Sequence, residues 1–209
     1  MATSPIRTIF WDCGGVLLTN GWDHRERAAV LTHFSLDWDT FEQRHPEAND
    51  AWEKGEITVE QYLDRTVFYT TRSFTEQQFI AAMKAQSIVL HTENMRILGE
   101  VAASKKYTMA LLNNEARELN DYRIRTFGLR RYFSSFFSSC YVGLRKPGAA
   151  IFQRALDILQ CDAGEAIFID DRKENTDAAT SVGMQAIQMQ TPAQLRDDLS
   201  RLGISTGLA

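Results

Sequence analysis

Ile6-Arg7-Thr8-Ile9-Phe10-Trp11-Asp12-Cys13-Gly14-Gly15 is the stretch that decides the fold: a short apolar run that ends abruptly in an aspartate and a glycine pair. A nearly continuous apolar run, in contrast to an alternating one, is the pattern of a strand buried on both faces, as strands of parallel sheets are. After this run at 6–12, four more follow at 107–113, 135–141, 166–170 and 184–189. Helical periodicity separates the later ones, at 115–127, 147–160 and 175–182, and the stretch 191–202 closes as an amphipathic helix with Pro192 in its first turn. Strands alternating with helices of that size predict βαβ units and an α/β fold: a doubly wound, parallel, five-stranded Rossmann-like sheet.

One interval breaks the rhythm. Between the first strand and the second lie only helical signatures, at 23–34, 38–45, 58–71, 75–87 and 92–104. Thr58 with Gln61 and Thr75 with Gln78 each read as a capping box. The last of these helices is expected to be the crossover into the second strand. The rest is too long for a loop and predicts an inserted helical cap. The expected division is a core formed by 1–20 and 90–209, with the cap at 21–89.

Composition narrows the functional classes. At 209 residues the chain can hold one α/β core and a modest second module. A formal net charge of −4, with bases interspersed among acids as in Arg25-Glu26-Arg27 and Arg172-Lys173-Glu174, reads as solvated helix faces and predicts no nucleic-acid partner and no membrane partner. Cys13, Cys140 and Cys161 are scattered and form no CxxC pair, the usage of reduced cytoplasmic thiols. The histidines show no metal-binding spacing. No segment reaches the roughly 18 apolar residues of a membrane helix, and the N-terminal run, broken by Asp12, makes a poor signal peptide. The expected location is cytoplasmic, with a loose tail at 205–209.

The chemistry sits where the predicted strands end. The first ends in Asp12-Cys13-Gly14-Gly15, the second in Asn113-Asn114 and the fourth in Asp170-Asp171, while the third leads into a loop carrying Lys146-Pro147. In parallel α/β sheets the carboxyl ends of the strands line one crevice where ligands bind. Three close carboxylates repel one another unless a cation neutralises them, and hard oxygen donors select Mg²⁺.

Ile9-Phe10-Trp11-Asp12-Cys13-Gly14-Gly15-Val16-Leu17 resembles the first motif of the haloacid dehalogenase superfamily, an apolar strand followed by Asp-x-Asp-Gly-(Thr/Val)-Leu. Leu111-Leu112-Asn113-Asn114 resembles its second motif, Gly143-Leu144-Arg145-Lys146-Pro147 its third, and Phe168-Ile169-Asp170-Asp171 with Asn175 its fourth. The order is the family's, and the helical insert falls where its type 1 cap lies. The resemblance implies that Asp12 is a nucleophile that accepts a phosphoryl group. It implies Mg²⁺ held by Asp12, the Gly14 carbonyl, Asp171 and Asp170. It also implies catalytic roles for Lys146, bridging Asp12 and the phosphoryl oxygens, and for Asn113. Phosphate or substrate contacts are expected from Asn113, Asn114, Lys146 and Gly15, and from Trp22 and His24 beside the hinge into the cap.

Two positions depart from the pattern. The family's second aspartate, which protonates the leaving group and later activates water, is Gly14 here, and no side chain remains to move a proton. General acid–base catalysis is worth roughly 10²–10⁴-fold, so His24, Asp23 and Glu115 become the candidates to replace it. The Ser/Thr position of the second motif is Asn113, whose amide can still donate to a phosphate oxygen. Cys13 and Trp11 read as packing residues, and Gly14-Gly15 lets the chain leave the strand sharply.

The expected function is a Mg²⁺-dependent hydrolase that removes phosphate from a small phosphorylated metabolite through an aspartyl-phosphate on Asp12. The rival is a regulatory relative that binds a phosphometabolite and has lost turnover with Gly14. A metal-free dehalogenase is disfavoured by the acidic pair Asp170-Asp171. A receiver-type domain carries its acidic pair on the first strand, not the fourth.

Overall fold

The protein is described by a computed structural model covering residues 5–206. The tail expected at 205–209 therefore lies, from residue 207 on, outside the described residues. Five strands, β1 (Thr8–Trp11), β2 (Thr108–Asn113), β3 (Ser135–Ser138), β4 (Ala166–Asp170) and β5 (Gln185–Gln188), form one parallel sheet in the order β3-β2-β1-β4-β5. The period of two divides β1 between two cores. Ile9 and Trp11 pack with Ile97, Leu98 and Val101 of α5 (Thr92–Ala103) and with Leu195 and Leu199 of α10 (Pro192–Arg201). Phe10 faces the opposite layer, with Phe152 and Leu156 of α8 (Ala149–Leu159) and Ala179 of α9 (Lys173–Ser181). Helices on both faces bury both sides of the sheet. Each fully buried large apolar side chain contributes about 1.5–3 kcal/mol before entropy is counted.

Between β1 and α5 run α1 (His24–His33), α2 (Trp38–Glu53), α3 (Val59–Thr66) and α4 (Glu76–Ala85). They build their own core around Trp22, Leu31, Phe41, Trp52, Tyr62, Phe79 and Met83, which rests on Ala116 and Leu119 near the start of α6 (Arg117–Thr126). The expected capping boxes at Thr58/Gln61 and Thr75/Gln78 both form, and Thr191/Gln194 makes a third. The segment leaving the sheet and the segment returning lie side by side. Thr19 N–H donates to the Ile88 carbonyl at 3.0 Å and Leu90 N–H to the Leu17 carbonyl at 3.0 Å, with Leu18 facing Val89 in an antiparallel bridge.

Three details differ from the expectation. α2 does not stop at His45 but runs through Pro46 to Glu53. The buried stripe Phe41, His45, Ala48, Trp52 continues at helical spacing past the proline, whose ring faces solvent. Burying Trp52 offsets the cost of an interior proline, about 3 kcal/mol. The third strand ends at Ser138, not at Tyr141, and α7 (Ser139–Val142) follows at once. Arg27, read as solvated, is buried, with Nε 2.8 Å and Nη2 3.1 Å from the carboxylate of Glu42. Among the described residues no helix is long and apolar enough to cross a membrane.

Candidate active site

β1 is central: the chain runs from it through β2 to β3 on one side and then crosses to β4 and β5 on the other, so a crevice opens at the carboxyl ends of the strands. Register places Trp11 beside Ile169, and Asp12 N–H donates to the Ile169 carbonyl at 2.8 Å. Asp12 thus emerges level with the end of β4. Asp12, Asp170 and Asp171 each offer a carboxylate oxygen, all within 4.8 Å of one another.

Lys146 fills the middle of this group. Its Nζ lies 2.8 Å from Asp12 Oδ1 and 2.6 Å from Asp170 Oδ2. Asn114 clamps the loop that carries it: Oδ1 accepts the Lys146 N–H at 2.9 Å, and Nδ2 donates to the Lys146 carbonyl at 2.9 Å. Asp170 is fully buried and saturated, with Arg172 N–H donating to Oδ1 at 2.8 Å and Asn175 Nδ2 lying 3.0 Å from both oxygens. It acts on Lys146 and thereby positions Asp12's partner. Asp171 is different: it is half-buried, and its Oδ1 has no hydrogen-bond partner.

Burial pushes the Asp12 carboxyl up to about 7; Lys146 pulls it down, while Asp170 adds to the rise. Burial also raises Asp171, helped by the charge of Asp170. Burial works against the charge on Lys146, yet Asp12 and Asp170 hold its ammonium above the ordinary range. Lys146 is shared by Asp12 and Asp170, which leaves Asp171 Oδ1 as a buried polar atom with no protein partner. An all-oxygen donor set of Asp12, Asp171 and the neighbouring Gly14 carbonyl, with Asp170 in or next to it, fits Mg²⁺. Gly15 lets the chain pass close: its φ is 74°, and a Cβ there would overlap the Asp171 carboxylate. Gly14 is not in the left-handed region, and a Cβ on it would lie 3.2 Å from Asn20 Oδ1.

Above the carboxylates is a cavity of about 260 Å³, lined from the core by Asp12, Gly14 and Lys146 and from the cap by Trp22, Asn49 and Glu53. Trp22 is held rigidly. Its Nε1 donates to Tyr62 Oη at 2.7 Å, Tyr62 Oη in turn lies 2.8 Å from His45 Nδ1, and Arg27 Nη1 donates to the Trp22 carbonyl at 2.9 Å. Charged contacts join the two layers across the cavity. Arg145, one residue before Lys146, reaches Asp50 and Glu53 of α2, both at 2.7 Å, and Arg172 pairs with Asp23. Deeper in, Glu115 pairs with Arg123 at 2.6 Å, and both line the cavity.

Most of the residues singled out from sequence meet here: Asp12, Gly14, Asn114, Lys146 and Trp22 line the cavity, with Gly15, Asp170 and Asp171 directly behind. Two do not. The Asn113 side chain turns into a buried ring, donating to Asn120 Oδ1 at 3.1 Å and accepting from Ser138 Oγ at 2.7 Å, while Asn120 Nδ2 donates to Ser138 Oγ at 2.9 Å. Its amide is committed to tying β2, β3 and α6 together. His24 is exposed at the start of α1, its ring 4.5 Å from that of Trp38, outside the cavity. Cys13 is a packing residue, its buried thiol pushed up to about 11. Asp23 and Glu115, the other candidates for the missing acid, do line the cavity, but sequence reading missed Arg145, Asn49 and the pairing of Glu115 with Arg123. Arg145 stood inside a motif already noticed; the pair sits eight positions apart, about two helical turns, and only the fold faces it inward.

Residues 6–183 match a family model described as haloacid dehalogenase-like hydrolase. The rat bifunctional epoxide hydrolase 2 is 26% identical over 94% of this chain and 39% of its own length. A chloroplast flavin mononucleotide hydrolase of Arabidopsis thaliana is 29% identical over 80% of this chain and 66% of its own length. The chain thus spans less than two thirds of either relative. Among solved structures, a HAD family enzyme of Bacteroides thetaiotaomicron superposes with a TM-score of 0.78 at 21% identity, over 90% of this chain and 95% of that one. The same enzyme in complex with magnesium and inorganic phosphate superposes at 0.71, 22% identity, over 88% and 94%.

Proposed function

The chain belongs to the haloacid dehalogenase-like hydrolases, and from that premise we propose that it is a Mg²⁺-dependent phosphatase of a small phosphorylated metabolite, with Asp12 as nucleophile. The observation that carries the reading is the grouping of Asp12, Asp170 and Asp171 around Lys146, with one Asp171 oxygen left without a partner. A haloalkanoate site has no need of that second acidic pair. The relative named for hydrolysing flavin mononucleotide and the neighbour holding magnesium and phosphate support the phosphate chemistry. The helical unit at 21–89 serves as a cap that walls the cavity, and three free thiols suit the cytoplasm.

A cation held by Asp12, the Gly14 carbonyl, Asp171 and Asp170 would neutralise phosphate charge and align the ester for in-line attack. The chain's own groups supply the rest. Asp12 attacks phosphorus, an Asp12–phosphate bond forms, and the bond to the alcohol breaks; water then hydrolyses the aspartyl-phosphate. Lys146, locked by Asn114 and Asp170, pulls Asp12 towards its ionised form against the effect of burial and presents a point charge to the transferring group. Asn175 and the Arg172 N–H hold Asp170 in place, so Lys146 costs no reorganisation at the moment of reaction. Trp22 and the capping helices exclude bulk water.

The test is phosphate release from a panel of small phosphate esters with Mg²⁺ and with chelator. Release that depends on Mg²⁺ and is lost in Asp12→Asn supports the reading. Tight Mg²⁺-dependent binding of phosphate with no release from any ester would instead favour the regulatory reading, which the absence of an acid at Gly14 motivates.

A further inference from the structure

We propose that Glu115 performs the proton transfers that Gly14 cannot, giving its proton to the departing alkoxide and recovering one from the attacking water. The proposal rests on the phosphatase reading above.

Glu115 stands two residues beyond the end of β2, at the same rim of the sheet as Asp12, and lines the same cavity as Asp12 and Gly14 while only 3% exposed. The other acids lining that cavity come from the cap or lie exposed: Glu53 ends α2 and faces Arg145, Asp23 caps α1 and pairs with Arg172, and Glu174 is exposed, whereas Glu115 belongs to the core beside the strand ends. Glu115 is held by its own scaffold. Ser139 Oγ accepts its N–H at 3.0 Å, Oε1 accepts the Ala116 N–H at 3.2 Å, and Oε2 meets Arg123 Nη1 at 2.6 Å. Arg123 also donates to the Thr19 carbonyl in the segment leaving the sheet, and its Nε is buried without a partner. The backbone keeps room for the carboxylate: Gly21 has φ 69°, and a Cβ there would run into Glu115 and Arg123. A buried cation and a left-handed glycine together hold one carboxyl group against the cavity.

The charged and titratable groups that act on this carboxyl are Arg123 from α6 and Glu53 from α2, with the thiols of Cys13 and Cys140 nearby. Burial pushes Glu115 up to about 7, Arg123 pulls it down, and Glu53 adds to the rise. Both protonation states are therefore accessible near neutrality, which a group that gives and takes a proton in one cycle requires. In the first step the Asp12–phosphorus bond forms, the bond to the ester oxygen breaks, and Glu115 protonates the alkoxide. In the second, water adds to phosphorus, its proton passes to Glu115 and the Asp12–phosphorus bond breaks. The sum is ester plus water giving alcohol plus phosphate, with Asp12 and Glu115 restored.

The experiment compares the Mg²⁺-loaded parent with Glu115→Gln, Gly14→Asp and the double variant on one alkyl and one aryl phosphate, across pH. Glu115→Gln is expected to lower kcat on the alkyl ester by about 10²-fold or more, to affect the aryl ester's first step least, and to remove the fall in alkyl rate as pH rises through about 7, leaving the low-pH limb of Asp12 in place. Gly14→Asp placed in the Glu115→Gln protein is expected to restore most of the lost alkyl activity, since it supplies an acid at a second point on the same cavity. A purely structural Glu115 would lower both esters alike, leave the profile's shape unchanged and gain nothing from Gly14→Asp; that result overturns the proposal alone. If the double variant does not fold, the leaving-group dependence and pH profile of Glu115→Gln decide. A parent that releases no phosphate overturns the phosphatase reading and this proposal together.

Discussion

Replacing Gly15 with alanine, with Gly14→Ala as its control, tests whether the glycine pair exists for the metal side of the site. Gly15 sits at φ 74°, and a residue with a Cβ in that region costs about 1–2 kcal/mol. For a chain of this size each kcal/mol is worth about 2–4 °C in Tm. The larger effect is local. The new methyl would occupy the place of the Asp171 carboxylate, and that side chain carries the orphaned oxygen. Moving a metal donor or its support typically weakens affinity by about 10–100-fold. At Mg²⁺ one hundred times its dissociation constant the parent gains about 2.7 kcal/mol, whereas a hundredfold weaker site gains only about 0.4. Differential scanning calorimetry with and without Mg²⁺ reads both effects. Gly14→Ala, outside the left-handed region, would meet Asn20 Oδ1 at 3.2 Å and the Asn20 Cα at 3.3 Å, so the loop must give by a few tenths of an ångström; it is expected to lose about 1 kcal/mol and to keep its Mg²⁺ shift. A Gly15→Ala protein with the parent's full Mg²⁺ shift would refute the placement of the cation beside Asp171.

Asp12→Asn removes the proposed nucleophile and almost no volume, so turnover should vanish while the far-UV spectrum stays native, and beryllofluoride should no longer be retained on the protein. Lys146→Ala leaves Asp12 and Asp170 buried without their shared cation, and urea denaturation at pH 7 should show a loss of about 3–5 kcal/mol; a loss under 1 kcal/mol would mean the trio is not coupled as the distances state. His45 is pushed by burial from 6.5 down to about 3, with Arg27 adding to the shift. The unfolded chain therefore binds a proton that the native protein refuses, and stability falls as pH drops from 6.5 towards 3, by about 1.4 kcal/mol per unit. His45→Gln should flatten that slope relative to the parent in denaturation at pH 7, 5 and 4, and parallel slopes would contradict it.

The sheet could be read in advance because burial on both faces writes a signal into every strand: no polar residue interrupts Ile9-Phe10-Trp11 or Ile167-Phe168-Ile169. Once the strands are placed, parallel topology forces Asp12, Lys146 and Asp170-Asp171 to one rim, and their meeting needs no knowledge of side-chain detail. What sequence pattern could not supply is direction. Asn113 and Asn114 are chemically identical neighbours, yet the strand's period of two sends Asn113 into the ring with Ser138 and Asn120 and Asn114 to the Lys146 loop. His24 next to Asp23 looks poised at the hinge, but as the first residue of α1 it is exposed, with its ring against Trp38. Pro46 reads as a stop because local preference says so; the stripe ending at Trp52 overrules it through contacts distant in sequence.

The paired crossing of Leu17–Thr19 with Ile88–Leu90 has an evolutionary and practical meaning. Seen from the sheet, everything between these segments is the loop of a single hairpin, entering and leaving at neighbouring points. The core's strand order does not depend on what that loop contains. A different set of helices, or a tight turn of a few residues, could be spliced between Thr19 and Ile88 with the carboxylates of the rim left where they stand. Under the proposed function, the choice of ester would therefore lie in an exchangeable cassette, while the carboxylates of the rim stay with the sheet.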